Sequence, residues 1–230
     1  MFGIYHTLSR GVDKRQIFMD DKDRYRFIHD LFEFNDYNPA NTSSHHFYKQ
    51  YGDLRSREIR NKERKREPRK LLVDILAFCL MPNHYHLLLS PRVEDGIVKF
   101  MRKLNIGYAK YFNEKYQRVG ALFESRYKSV LVENQAHFIH LPYYIHLNPL
   151  DLVASEWRER KINNLNKALD FLNKYKWSSH LDYSGQKNFP SVTSREFLLE
   201  IFGGEGGYRK SVKKWLNELA VEKISDFILE

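Results

Sequence analysis

Two short stretches of this chain hold side chains that could do chemistry together. Met81-Pro82-Asn83-His84-Tyr85-His86 sets two histidines two positions apart, and Tyr144-Ile145-His146-Leu147-Asn148 sets a phenol and an amide four apart. In a strand, residues i and i+2 share a face, so the imidazoles of His84 and His86 aim the same way. In a helix, residues i and i+4 share a face, so Tyr144 and Asn148 stand together. Two imidazoles, an amide oxygen and a phenol suit a metal-assisted attack on a phosphodiester. A His-x-His strand alone is a weak signal, because paired strand histidines also pack or hydrogen-bond without a metal. Tyr144 alone, one of fifteen tyrosines, is weaker. The two stretches gain meaning only if the fold joins them.

The elements that must position them follow from periodicity. Residues Gly3 to Ser9 read as a first strand, turned by Arg10-Gly11. Asp20 to Phe34 reads as a helix capped by Asp20 or Asp21, with Tyr25, Ile28, Leu31 and Phe32 inward and Lys22 and His29 outward. Periodicity then disappears until Arg69, which predicts an insertion at about residues 35–70, either functional or simply a solvated charged segment. Leu71 to Leu80 is a buried-strand run, and His84 to Ser90 pairs with it as a hairpin. Gly96 to Tyr116 is a helix with Ile97, Met101, Leu104, Tyr108, Tyr111 and Phe112 on one side. Ser125 to Val132 is a fourth strand. Gln135 to Asn148 is a helix that Pro142 kinks or restarts.

That order, β-α-β-β-α-β, predicts an α+β fold. Its core is a ferredoxin-like split βαβ antiparallel sheet, with the Tyr144 helix after the fourth strand. A helix over Lys167–Trp177, a turn at Trp177-Ser178-Ser179, a short helix over Ser194–Phe202, a flexible break at Gly203–Gly207 and a last helix over Tyr208–Leu219 complete the chain. Residues 1–180 are read as one domain carrying the basic insertion, and 181–230 as a helical C-terminal extension.

Composition narrows the partners. At 230 residues, 42% hydrophobic and 29% charged, the chain is globular and long enough for a full core. Cys79 is the single cysteine, which excludes a disulfide framework and a cysteine-built zinc site. No apolar run suffices for a membrane span and no signal-peptide pattern opens the chain, so a cytoplasmic protein is expected. The net charge is +9, and between Arg55 and Lys70 nine Lys/Arg face three Asp/Glu. Such a run without an amphipathic anchor points to nucleic acid rather than membrane. The expected backbone contacts are Arg10; Arg55, Arg57, Arg60, Lys62, Arg64, Lys65, Arg66, Arg69 and Lys70 of the insertion; and Lys99, Arg102, Lys103 and Lys110 of the long helix.

Tyr5-His6 through Ser9-Arg10-Gly11, Met81 to His86, Tyr144 to Pro149 and Trp177-Ser178-Ser179 occur in an order that resembles the REP-associated tyrosine transposases. These belong to the single-tyrosine HUH (IS200-like) superfamily, and the resemblance runs from about residue 3 to 180. It implies that His84 and His86 bind a divalent metal, Mg²⁺ or Mn²⁺, with Asn148 as third ligand and Tyr144 as nucleophile. It also implies a substrate of single-stranded DNA bearing hairpins at palindromic repeats, and a DNA strand-transfer enzyme; whether it acts as monomer or homodimer is left open by the sequence. A phenol, with a pKa of about 10, needs such help near neutral pH. Its attack would leave a covalent 5′-phosphotyrosine and a free 3′-OH, so that a strand can be rejoined without ATP. Two departures from the family stand out: the middle of the HUH triplet is Tyr85, and Asp151-Leu152 replaces a common Arg-Ala pair. Tyr143 adjoins the expected nucleophile, His6 is read as structural, and His146 as pointing away from the Tyr144/Asn148 face. The rival readings are a domesticated DNA-binding regulator without turnover, and a metal-dependent RNA hydrolase with no covalent intermediate.

Overall fold

Alternating apolar residues build a four-stranded sheet that is covered on both faces. Strands β1 (Tyr5–Arg10), β2 (Val73–Met81), β3 (His84–Pro91) and β4 (Lys128–Leu131) lie in the order β2-β3-β1-β4, every pair antiparallel. This is the split βαβ arrangement expected from the sequence. The computed structural model describes residues 3–39, 68–133, 135–159 and 162–218. Arg55, Arg57, Arg60, Lys62, Arg64, Lys65 and Arg66 lie outside the described residues.

Helices α1 (Asp21–Glu33) and α2 (Gly96–Lys115) cover one face. There Phe27, Ile28, Leu31, Phe100, Leu104 and Tyr108 pack on Tyr85, Leu87 and Leu89 of β3. Helix α3 (Gln135–Leu147) covers the other, where Leu141, Tyr144 and Ile145 pack on Ala77, Cys79, Met81 and Leu88. The strand alternation thus sends Tyr85 to the α1/α2 layer, against Phe27 at 4.6 Å between ring centres. Its neighbours His84 and His86 face α3, which is why a bulky residue is tolerated in the middle of the triplet.

Several boundaries differ from expectation for physical reasons. Asp20 caps α1 through a reciprocal bond with Asp23, and Phe27 rather than Tyr25 completes the inner face, Tyr25 being exposed. Pro142 neither breaks nor restarts α3, which runs unbroken to Leu147. The helix instead tightens into a 3-10 turn at Asn148–Leu152, where Pro149 occupies the first turn. The expected break at Gly203–Gly207 is also not one. Gly203, at φ 72°, closes α6 (Glu196–Phe202), and α7 (Gly204–Glu218) begins at the next residue. A Cβ on Gly207 would stand 1.9 Å from the Phe202 carbonyl oxygen, so this glycine permits a close turn between two helices.

The C-terminal helices fix the outer side of α3. Tyr143 stacks on Tyr208 of α7 at 5.5 Å, and Trp215 Nε1 donates to His140 Nδ1 at 2.9 Å. Tyr208 Oη bridges His146 Nδ1 and His180 Nδ1, 2.8 Å from each, and His146 Nε2 meets Ser179 Oγ at 2.7 Å. His180 lies in the short α5 (His180–Tyr183), after α4 (Leu165–Leu172).

Replacing Tyr208 by Phe removes both bridges and leaves two buried imidazole nitrogens short of a partner. The variant should lose about 1–3 kcal/mol in urea unfolding with an unchanged m-value. A pH effect follows from His180, whose burial pushes its pKa down to about 4. An unfolded histidine takes up its proton near pH 6.5. Between those values the unfolded chain holds more protons, so this contribution is full above about pH 6.5 and fades as pH falls towards 4. The melting temperature should drop between about pH 7 and 5, and the drop should be smaller in His180→Gln.

Candidate active site

The sheet register brings the histidines together. Leu8 of β1 lies opposite His86 and Arg10 opposite His84, while Cys79 and Met81 of β2 flank the same two residues on the other side. His84 and His86 are buried with ring centres 5.0 Å apart. Tyr144, fully buried on α3, stands edge-on to His86 at 6.0 Å and to His6 at 6.3 Å. Asn148, one turn further on, donates from Nδ2 to the Tyr144 carbonyl at 2.9 Å, which fixes its amide. The four residues expected to act together therefore meet in one cluster. Tyr143 and His146 turn to the other side of α3, into the contacts with Tyr208.

Each imidazole is oriented by a second group. His84 Nδ1 lies 2.7 Å from Asn83 Oδ1, and Asn83 Nδ2 donates to the Lys14 carbonyl at 3.2 Å. The second bond sets the Asn83 amide so that its oxygen accepts from His84 Nδ1–H. His84 Nε2 is then a bare lone pair, buried and without a hydrogen-bond partner among the described residues. Lys14 reaches Asn83 from a backbone at φ 55°, a left-handed conformation shared with Asp13 and costly for a side chain other than glycine. His86 Nδ1 is joined to His6 Nε2 at 2.9 Å, with the rings stacked at 5.2 Å. His6, expected to be structural, is thus a direct partner of the histidine pair.

The electrostatics favour neutral imidazoles. Burial first, and then the Arg10 cation, push the His84 pKa down to about 4; Asp151 opposes this and Arg158 adds to it. Burial also holds His86 well below the ordinary imidazole value, followed by His84 and His6. Near pH 7 both rings are neutral and can offer lone pairs to a cation. Among the described residues no three His, Cys, Asp or Glu side chains are grouped to hold a metal. The Asn148 amide oxygen is of a suitable type for a third ligand: its amide is oriented by the Tyr144 carbonyl, and the oxygen accepts from Arg158 Nη2 at 3.2 Å. The bare His84 nitrogen, the neutral pair and this oxygen together suit a divalent cation.

The 3-10 turn Ser155–Glu159 supplies residues that the sequence reading missed. Arg158 Nη1 donates to the Tyr144 hydroxyl at 3.3 Å and Nη2 to Asn148 Oδ1 at 3.2 Å. Asp151 holds that guanidinium with both oxygens, at 2.8 Å from Nε and 2.6 Å from Nη2, and also accepts from Trp157 Nε1 at 2.6 Å. No spacing rule flags Arg158, because its approach to Tyr144 comes from the fold of two successive 3-10 turns. For His6 a signal did exist, since β1 residues of its parity share the face of His86.

The expected DNA-contacting residues divide. Arg10 is beside the histidines. Lys99, Arg102, Lys103 and Lys110 ride on α2, across the sheet from them. Lys103 Nζ donates to the Asn38 carbonyl at 2.9 Å, and Arg69 lies 3.8 Å from the Phe32 ring centre while donating to the Asn35 carbonyl at 3.0 Å. These two brace the chain leaving α1. Lys70, Lys99, Arg102 and Lys110 are exposed. No helix among the described residues is long and apolar enough to cross a membrane.

No curated protein matches this chain. Among solved structures, a REP-associated tyrosine transposase bound to a REP hairpin is similar, with a TM-score of 0.48 and 12% identity over 85% of this chain and 88% of that one. Residues 60–148 match the family model of the IS200-like transposases. That span includes His84, His86, Tyr144 and Asn148, and across it the chain is similar to the IS200-like transposases.

Proposed function

We propose that this protein cleaves and rejoins single-stranded DNA next to hairpin repeats, as a transposase of the tyrosine type. The observation that carries the reading is the meeting of His84, His86, Tyr144 and Asn148 in one buried cluster, with His84 Nε2 left bare. The IS200-like match over the same residues and the net charge of +9 support DNA as the partner. In this reading the protein works in the cytoplasm, as monomer or homodimer.

His84 and His86, through Nε2, and Asn148, through Oδ1, would hold Mg²⁺ or Mn²⁺, and the imidazoles favour Mn²⁺ on affinity. What the ion supplies is positive charge beside the scissile phosphate. The protein's own groups do the rest. Asn83 fixes the His84 tautomer. In the tautomer that ligation needs, His86 Nδ1–H donates to His6 Nε2. Tyr144 Oη attacks phosphorus, the bond to the 3′-oxygen breaks, and the 5′-phosphate stays on the tyrosine.

Incubation with labelled hairpin DNA carrying a single-stranded flank, plus Mn²⁺, should give a protein–DNA adduct that survives denaturing electrophoresis. EDTA should abolish it. Tyr144→Phe should abolish it while binding the hairpin with unchanged affinity; an adduct from that variant would refute the assignment, and cleavage without any adduct would indicate hydrolysis. Removing the support of His86 is a separate test. His6→Ala should weaken Mn²⁺ binding about 10–100-fold by calorimetry without DNA present. Unchanged affinity would make His6 a packing residue.

A further inference from the structure

We infer that Arg158 is a further catalytic residue, which favours the phenolate of Tyr144 both when it attacks and when it leaves. The inference rests on the tyrosine chemistry proposed above and adds a group to it. Three observations converge. Arg158 Nη1 points its N–H at the reacting oxygen of Tyr144, at 3.3 Å. A guanidinium has donors only and keeps its charge, so this contact strengthens as the oxygen becomes an anion. The group is also preset: Asp151 grips it through two oxygens, Trp157 holds Asp151, and the Arg158 guanidinium lies 5.1 Å from the Trp157 ring centre. A donor held in place before charge develops needs no reorganisation during the reaction.

The step balances without any new reactant. The Tyr144 phenol loses its proton to water, leaving a phenolate that accepts from Arg158 Nη1. The phenolate oxygen forms the bond to phosphorus, the bond from phosphorus to the 3′-oxygen breaks, and that oxygen takes a proton from water. In rejoining, a 3′-hydroxyl gives its proton to water as its oxygen bonds to phosphorus, the bond from phosphorus to the Tyr144 oxygen breaks, and Tyr144 departs as the same phenolate, again facing Arg158, to be reprotonated by water. One fixed cation thus serves both directions, as strand transfer requires.

Asp151 is a positioning residue in this scheme. It touches no reacting atom, but its carboxylate decides where the guanidinium lies. It also offsets charge that would otherwise oppose a divalent cation nearby, since Arg158 Nη2 is already 3.2 Å from Asn148 Oδ1.

Single-turnover adduct formation on saturating hairpin DNA with Mn²⁺ tests the inference. Arg158→Ala should slow it about 10²–10³-fold, the usual cost of losing one preset donor. Hairpin affinity should stay within a few-fold of the parent, because the loss is in the step and not in binding. Guanidinium at non-denaturing concentration should restore part of the rate in Arg158→Ala and none in Tyr144→Phe. Asp151→Asn should slow the step less, and added guanidinium should not help it. If Arg158→Ala does not fold, Arg158→Lys gives the same reading, with a smaller loss. A normal rate in the Arg158 variants, with Tyr144→Phe inactive, would overturn the role of Arg158 alone. An adduct formed by Tyr144→Phe would instead overturn the tyrosine assignment. A slow Arg158→Ala that guanidinium leaves unrescued while its hairpin affinity collapses would mean a structural role and also overturns the inference.

Discussion

A neutral imidazole carries one donor and one acceptor, and leaving either unpaired in an apolar interior costs about 1–3 kcal/mol. His6, His84, His86, His146 and His180 are all buried here, and the fold answers that constraint in two ways. On the outer side of α3, Tyr208, Ser179 and Asn173 provide contacts for both nitrogens of His146 and of His180. On the sheet side, Asn83 takes one nitrogen of His84 and leaves the other bare. The same residue type on opposite sides of one helix is thus saturated where it holds the structure together. It is left incomplete where a ligand is expected.

The helix between these two sides transmits the arrangement. Along α3, Tyr143 and His146 face the C-terminal helices while Tyr144 and Asn148 face the strands. The stacking of Tyr143 on Tyr208 and the bridge to His146 fix the rotation of α3 about its axis. That rotation decides where the Tyr144 hydroxyl lies. The C-terminal segment, with no chemistry of its own in the sequence, is part of what aims the tyrosine.

Much of this was legible before the structure. The β-α-β-β-α-β order, the shared face of His84 and His86, and the pairing of Tyr144 with Asn148 follow from period-2 and period-3.6 patterns, which local backbone geometry enforces. Residues with no such period were not legible. Arg158 and Asp151 lie on 3-10 turns whose path is set by tertiary packing, and Gly207 reads as flexible in sequence although it serves close packing. Asp151 also stands where the family resemblance suggests an arginine. Here the carboxylate anchors a guanidinium from seven positions later, so the site has a cation with a different origin.

The bond between His6 and His86 spans 80 residues of chain, and the contact of His86 with Tyr144 likewise joins distant parts of the sequence. Closing loops of that length costs conformational entropy before any contact repays it. No segment shorter than the stretch from His6 to Arg158 contains the whole cluster. A nascent or partly folded chain therefore lacks the complete cluster. The cluster is confined to the finished fold by topology alone.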